Sequence, residues 1–140
     1  MNNNILEIKK INKNFQHRNK LIEIFKNINL NVKKGELVAL VGPSGSGKST
    51  LLNMISLIDK PTSGQIIFNN KDIVNLSEEN KNDIRKKNIS MIFQDNNLLA
   101  DFTALENVLL PLIIREEKIK LSQKKAEKIL ASFNLKSRLN

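Results

Sequence analysis

The stretch from Leu37 to Ile58 constrains this chain most. Leu37-Val38-Ala39-Leu40-Val41 is apolar throughout, the pattern of a strand buried on both faces of a parallel sheet. It runs into Gly42-Pro43-Ser44-Gly45-Ser46-Gly47-Lys48-Ser49, which fits G-x-x-x-x-G-K-[S/T] without a mismatch. A helix is expected from about Lys48 to Ile58, with Leu51, Leu52, Ile55 and Ile58 on one face. The order strand, glycine loop, helix suits a phosphate cradle. Glycines let the backbone curl so that successive N–H groups point at phosphate oxygens. The helix start adds its positive dipole end to the same place. In such a loop the Lys48 ammonium reaches the β- and γ-phosphates, and the Ser49 hydroxyl is placed to ligate Mg²⁺. Gly42, Pro43, Ser44, Gly45, Ser46, Gly47, Lys48, Ser49 and Thr50 are therefore the candidate nucleotide-binding residues. A flexible Gly/Ser turn would explain the glycines alone. A chance match in this length is on the order of one in a few hundred, and the flanking strand and helix make it rarer.

The other elements follow from periodicity and punctuation. Residues 5–11 and 21–32 alternate partly between apolar and polar and are expected to be strands, with 12–20 a polar loop or turn. Pro61-Thr62-Ser63-Gly64 breaks the chain. Gln65–Phe68 is a further strand, ended by Asn69-Asn70. Ser77 can cap a polar helix over roughly 78–87, and Ile89–Phe93 is the next apolar strand. Thr103-Ala104-Leu105-Glu106 is a capping box opening an apolar helix, which Pro111 is expected to kink or end. A last helix over about 122–133 places Ala126, Ile129, Leu130 and Phe133 on one face. No repeat or long linker divides the 140 residues, so residues 1–140 read as one domain.

Composition closes several function classes. There is no cysteine and a single histidine, His17, so disulfides, thiolate sites and histidine clusters are excluded. The net charge of +9 comes from Lys spread along the whole chain. No stripe of Arg interleaved with aromatics appears, so nucleic acid is not the expected partner. No basic-then-apolar leader or spanning segment is visible, which points to a cytoplasmic chain whose membrane link comes through partners. A second motif, Asn80-Lys81-Asn82-Asp83, fits the guanine-reading N-K-x-D pattern. It follows Ser77-Glu78-Glu79 rather than an apolar strand, and no D-x-x-G metal loop is present. A solvated helix face accounts for it better.

Gly42–Thr50 with Leu51-Leu52, then Pro61-Thr62-Ser63-Gly64-Gln65-Ile66, resembles the opening half of ATP-binding cassette (ABC) nucleotide-binding domains. Ile92-Phe93-Gln94 resembles the family's Q-loop. Leu98-Leu99-Ala100-Asp101-Phe102-Thr103-Ala104-Leu105-Glu106-Asn107-Val108 is similar to the ATP-binding subunits of bacterial lipoprotein-releasing transporters, and the resemblance runs over nearly the whole chain. It implies an α/β P-loop NTPase fold, incomplete: the antiparallel β subdomain, part of the parallel core and the start of the helical subdomain. It implies ATP and Mg²⁺ as ligands, a homodimer of ATPase subunits, lipoprotein-releasing membrane-spanning subunits as partners, and a peripheral place on the cytoplasmic face of the inner membrane. Macrolide-exporter and cell-division ATPases are the alternatives within the family. A non-catalytic nucleotide-binding remnant is the alternative outside it.

The resemblance also assigns roles. Phe15 occupies the place of the aromatic that stacks on adenine; the competing reading is a core Phe at a strand end. Gln94 matches the glutamine that approaches Mg²⁺ and the attacking water; the competing reading is a loop glutamine. Leu98–Phe102 either face the coupling helices of the membrane subunits or fill the core. The family's L-S-G-G-Q signature, the Asp-Glu ending of a second apolar strand and the switch histidine have no match in the 140 residues. The expectation is that the intact family member hydrolyses ATP and that this chain alone does not. Leu37–Val41 is expected to keep an unpaired edge, which makes the product marginal and aggregation-prone.

Overall fold

The structure, a computed structural model, describes residues 3–138. It divides into two compact units, Met1–Arg85 and Lys86–Asn140.

The first unit is built on a four-stranded antiparallel sheet of order β2-β1-β3-β4. Its strands are β1 (Asn4–His17), β2 (Lys20–Lys33), β3 (Ser63–Phe68) and β4 (Lys71–Asp72). The hairpin between β1 and β2 is longer than its apolar pattern. Pairing continues through Phe15↔Ile22 to His17↔Lys20, so the expected loop over 12–20 shrinks to the turn at Arg18 and Asn19. Polar side chains patch the irregular registers. Asn12 accepts from the Asn27 amide at 2.9 Å and donates to the Ser63 hydroxyl at 2.9 Å, while the Thr62 hydroxyl accepts from the Asn14 amide at 2.9 Å. Cross-strand bonding thus carries a sequence that periodicity alone reads as loop. Asn69 and Asn70 both hold positive φ, 48° and 62°. This conformation is open to Asn in tight hairpin turns, and β3 pairs with β4 across it.

Gly64 shows why the sheet needs a glycine there. At its φ of +99° a Cβ would lie 2.5 Å from the Lys10 carbonyl oxygen and 2.8 Å from the Ile11 Cα. Only a residue without a side chain lets β3 approach β1 this closely.

Ile8, Ile11, Ile66 and Ile73 are fully buried on the sheet, and Leu51 and Met54 of helix α1 (Lys48–Ile55) are buried with them. The buried stripe of α1 differs from the expected face. Leu52 and Ile58 are about half exposed, while Met54 is at 0 %. The helix ends at Ile55, so Ile58 has no helical face to share, and Leu51 with Met54 gives the i, i+3 pair on its buried side. Helix α2 (Glu78–Asn88) is polar with no buried residue. Its start is capped as the sequence indicates: the Ser77 hydroxyl accepts from the Asn80 amide at 3.4 Å and the Ser77 carbonyl from the Lys81 amide at 3.0 Å. The guanine-motif mimic therefore sits in a solvated helix.

The second unit holds helices α3 (Ala104–Ile114) and α4 (Ile119–Ser132). Thr103 and Glu106 form both bonds of the capping box. Pro111 lies inside α3, which runs three residues past it. Its ring removes one amide donor but leaves its carbonyl, which accepts from the Arg115 amide at 3.2 Å. In α4, Ala126 and Leu130 are buried as expected and Ser122 joins them, whereas Ile129 and Phe133 are exposed.

Two expected strands are not formed. Residues 37–41 and 89–93 have no ladder partner among the described residues. Leu37 is 98 % exposed and Ile92 97 %. An apolar run becomes a strand only where a neighbour accepts its backbone bonds, so the part of the parallel core expected here is present as irregular chain without a sheet. Among the described residues no helix is long and apolar enough to cross a membrane.

Candidate functional site

Gly42 to Thr50 form a loop that opens helix α1. Gly47 is the N-cap at φ 88°, and a Cβ there would meet Ile24 and Phe25 of β2 at 2.7 Å. Glycine is required twice over: for the left-handed backbone and for the side chains of β2 that press against it. The N-cap offers no side-chain acceptor, and the first intrahelical bond runs from the Leu51 amide to the Gly47 carbonyl at 2.9 Å. The amides of Lys48, Ser49 and Thr50 consequently have no acceptor inside the helix. Three N–H groups and the positive end of the helix dipole face the same place.

Lys48 arches back over the loop. Its ammonium donates to the Gly42 carbonyl at 2.9 Å and the Pro43 carbonyl at 2.7 Å, with the Ser46 hydroxyl at 3.5 Å. Two strong bonds hold the cation at the loop mouth. The third donor of the ammonium has only the long Ser46 contact, which a phosphate oxygen would readily replace. The Ser46 amide donates to the Pro43 carbonyl at 3.3 Å, which keeps the loop curled. Pro43, Ser44, Gly45, Ser46 and Ser49 are exposed. The donor set fits a polyphosphate. The Ser49 hydroxyl, a hard oxygen ligand, fits Mg²⁺.

Phe15 lies near the far end of β1 and is 43 % exposed, not a core residue. The Lys13 ammonium sits 4.6 Å from the centre of its ring. Lys13 pairs across the sheet with Phe25, the residue that presses on Gly47, so the structure brings Phe15 and the phosphate loop into one unit. Sequence reading passed over Lys13, Ile24 and Phe25. Their signal lies in pairing between strands, which a linear motif does not record.

Gln94 lies in the second unit, exposed on a bend after 89–93. It is outside the unit that carries the phosphate loop. Downstream, Asn107 organises the segment before α3. Its amide nitrogen donates to the carbonyls of Leu99, Phe102 and Thr103 at 3.0–3.2 Å, and its oxygen accepts from the Leu99 amide at 2.9 Å. Leu98, Leu99 and Phe102, held this way, remain 42–64 % exposed. They line an apolar groove of about 460 Å³ with Val108, Leu130 and Leu135.

Comparison with known proteins bears on the family and the fold. The family model described as ABC transporter matches residues 25–140. The chain is 41 % identical over 141 residues to the lipoprotein-releasing system ATP-binding protein LolD of Wigglesworthia glossinidia brevipalpis, and covers all of this chain and 62 % of that relative. It is 42 % identical to LolD of Rickettsia typhi, covering 99 % and 61 %. Among solved structures it superposes on the dimeric ATP-binding cassette MJ0796, described as bound to ADP and Pi in a post-hydrolysis state. The TM-score is 0.86 at 39 % identity, covering 96 % of this chain and 59 % of that one. The chain thus spans about three-fifths of the length of the curated relatives it matches. It has the fold of the N-terminal part of an ABC cassette, with the antiparallel subdomain and helices in place, and it belongs to the ABC transporter ATP-binding family.

Proposed function

We propose that this chain binds Mg-ATP as the N-terminal portion of an ABC transporter's energising subunit. One observation carries the reading: the Lys48 ammonium and the free amides at the start of α1 converge on the mouth of the Gly42–Thr50 loop. Within it, Lys48 pairs with the β- and γ-phosphates, and the amides of Lys48, Ser49 and Thr50 take the remaining phosphate oxygens. The Ser49 hydroxyl holds Mg²⁺, and Phe15 stacks on the adenine ring. The bound metal supplies charge neutralisation between the phosphates. Phosphoryl transfer also needs a water-orienting base, and no apolar strand in these 140 residues ends in Asp-Glu. The chain by itself binds without turnover.

The test is a calorimetric titration of the full chain with Mg-ATP, beside Lys48→Ala. Saturable heat in the wild type that the variant loses supports the reading. Absence of binding, or equal binding by the variant, overturns it. Lys48-dependent release of phosphate by the purified chain would contradict the claim that it does not turn over.

The relatives named LolD support a role in lipoprotein release. In that role the chain pairs with a second ATPase subunit and with membrane-spanning lipoprotein-releasing subunits, peripherally on the cytoplasmic face of the inner membrane. The exposed Leu98–Phe102 segment and its groove are the surface offered to those subunits. A second reading is another transporter of the same family, such as a macrolide exporter or a cell-division ATPase: the 39 % identity to MJ0796 equals that of one LolD relative and does not distinguish members of the family. Co-purification with lipoprotein-releasing membrane subunits separates the two.

A further inference from the structure

Lys13 belongs to no phosphate motif, yet its surroundings are unusual for a lysine. Its side chain is only 8 % exposed. The ammonium donates to the Asp59 carboxylate at 2.7 Å and to the Lys60 carbonyl at 2.8 Å. It also sits 4.6 Å from the centre of the Phe15 ring. A lysine is seldom buried unless its charge is met, and here carboxylate, carbonyl and ring face meet it together.

These contacts tie two parts of the first unit together. Asp59 follows α1, and its amide donates to the Asn53 carbonyl of that helix at 3.1 Å. Lys13 is therefore bonded to the segment that leaves the phosphate-loop helix, while its charge lies against one face of Phe15. A cation within about 6 Å of a ring centroid is attracted by the ring quadrupole. It fixes the ring plane and occupies one face, so that the exposed surface of Phe15 is left for a flat partner. An aromatic held in place before binding loses less freedom when it stacks.

We propose that Lys13 is a positioning residue for the nucleotide base. With Asp59 it locks the Phe15 ring in a fixed orientation relative to α1, so that a purine ring can stack while its phosphates occupy the loop. This rests on the proposed stacking of adenine on Phe15. Lys13 touches neither the base nor the phosphates and acts through the ring.

The test compares Mg-ATP with Mg-tripolyphosphate, which carries the phosphates and no base, by calorimetry on the full chain. The measured quantity is the ratio of the two dissociation constants. Lys13→Met keeps the stem and removes the charge, and is expected to shrink the preference for ATP about three- to tenfold, with tripolyphosphate affinity unchanged. Lys13→Met with Asp59→Asn serves if the single variant folds poorly, because it leaves no unpaired carboxylate. In a Phe15→Ala background, Lys13→Met is expected to change nothing further. Equal weakening of both ligands, or the same loss of preference with and without Phe15, overturns the role of Lys13. A wild type with no preference for ATP, or one that binds neither ligand, overturns the stacking of adenine on Phe15 and this inference with it.

Discussion

The Nζ atom of Lys48 lies 2.7 Å from the carbonyl oxygen of Pro43, five residues before it. The cation meant for phosphate thus also closes the loop that presents it, and holding the charge and shaping the cradle are one act.

Replacing Lys48 by Met removes both roles. Ligand present at about 100 times its dissociation constant should stabilise the wild-type chain by about 2.7 kcal/mol. Lys48→Met is expected to lose most of this gain, seen as a vanished rise in melting temperature on adding Mg-ATP. Its ligand-free melting temperature should stay within about 3 °C of wild type, because the bonds it loses are on an open loop.

Gly64→Ala should harm the sheet rather than the loop. A Cβ 2.5 Å from the Lys10 carbonyl oxygen, on a backbone with φ +99°, forces β1 and β3 apart or strains the turn of chain. A loss of about 2–4 kcal/mol in urea unfolding of the first unit is expected. An unchanged midpoint would show that β3 can retreat without cost.

The cap of α3 should titrate. The Thr103 amide and hydroxyl each donate to the Glu106 carboxylate at 2.8 Å, and the backbone bond first, then the hydroxyl, holds its pKa below the ordinary carboxylate value. A depressed folded pKa means that the contribution is fully present above the unfolded pKa and is lost as pH falls through the folded one. The difference in urea midpoint between wild type and Glu106→Gln should therefore shrink between pH 7 and pH 3. Thr103→Ala, which deletes the cap itself, should cost about 1 kcal/mol at neutral pH.

Leu37 and Ile92 stand almost wholly in solvent in segments that have no ladder partner among the described residues, an invitation to pairing between molecules. Leu37→Lys and Ile92→Lys are each expected to lower light scattering and hydrophobic-dye fluorescence while leaving the urea midpoint unmoved. A drop of more than about 1 kcal/mol would mean that these side chains are packed in solution.

Sequence alone determined the features whose causes lie within a few residues. The glycine spacing of 42–47 and the lysine that follows, the Thr103–Glu106 box and the Ser77 cap are short-range bonding patterns, and each formed where it was read. The Asn69-Asn70 turn is local in the same sense. Tertiary structure decided what depends on a distant partner. Met54, not Leu52 or Ile58, is buried, because packing sets which side of α1 leaves water. The polar run 12–17 is strand because β2 and the loop before β3 supply its bonds. Lys13 meets Asp59 across 46 residues, a contact no motif spacing can encode. Residues 37–41 and 89–93 mark the limit from the other side: their composition favours a strand, but a strand exists only when another backbone answers its N–H and C=O groups.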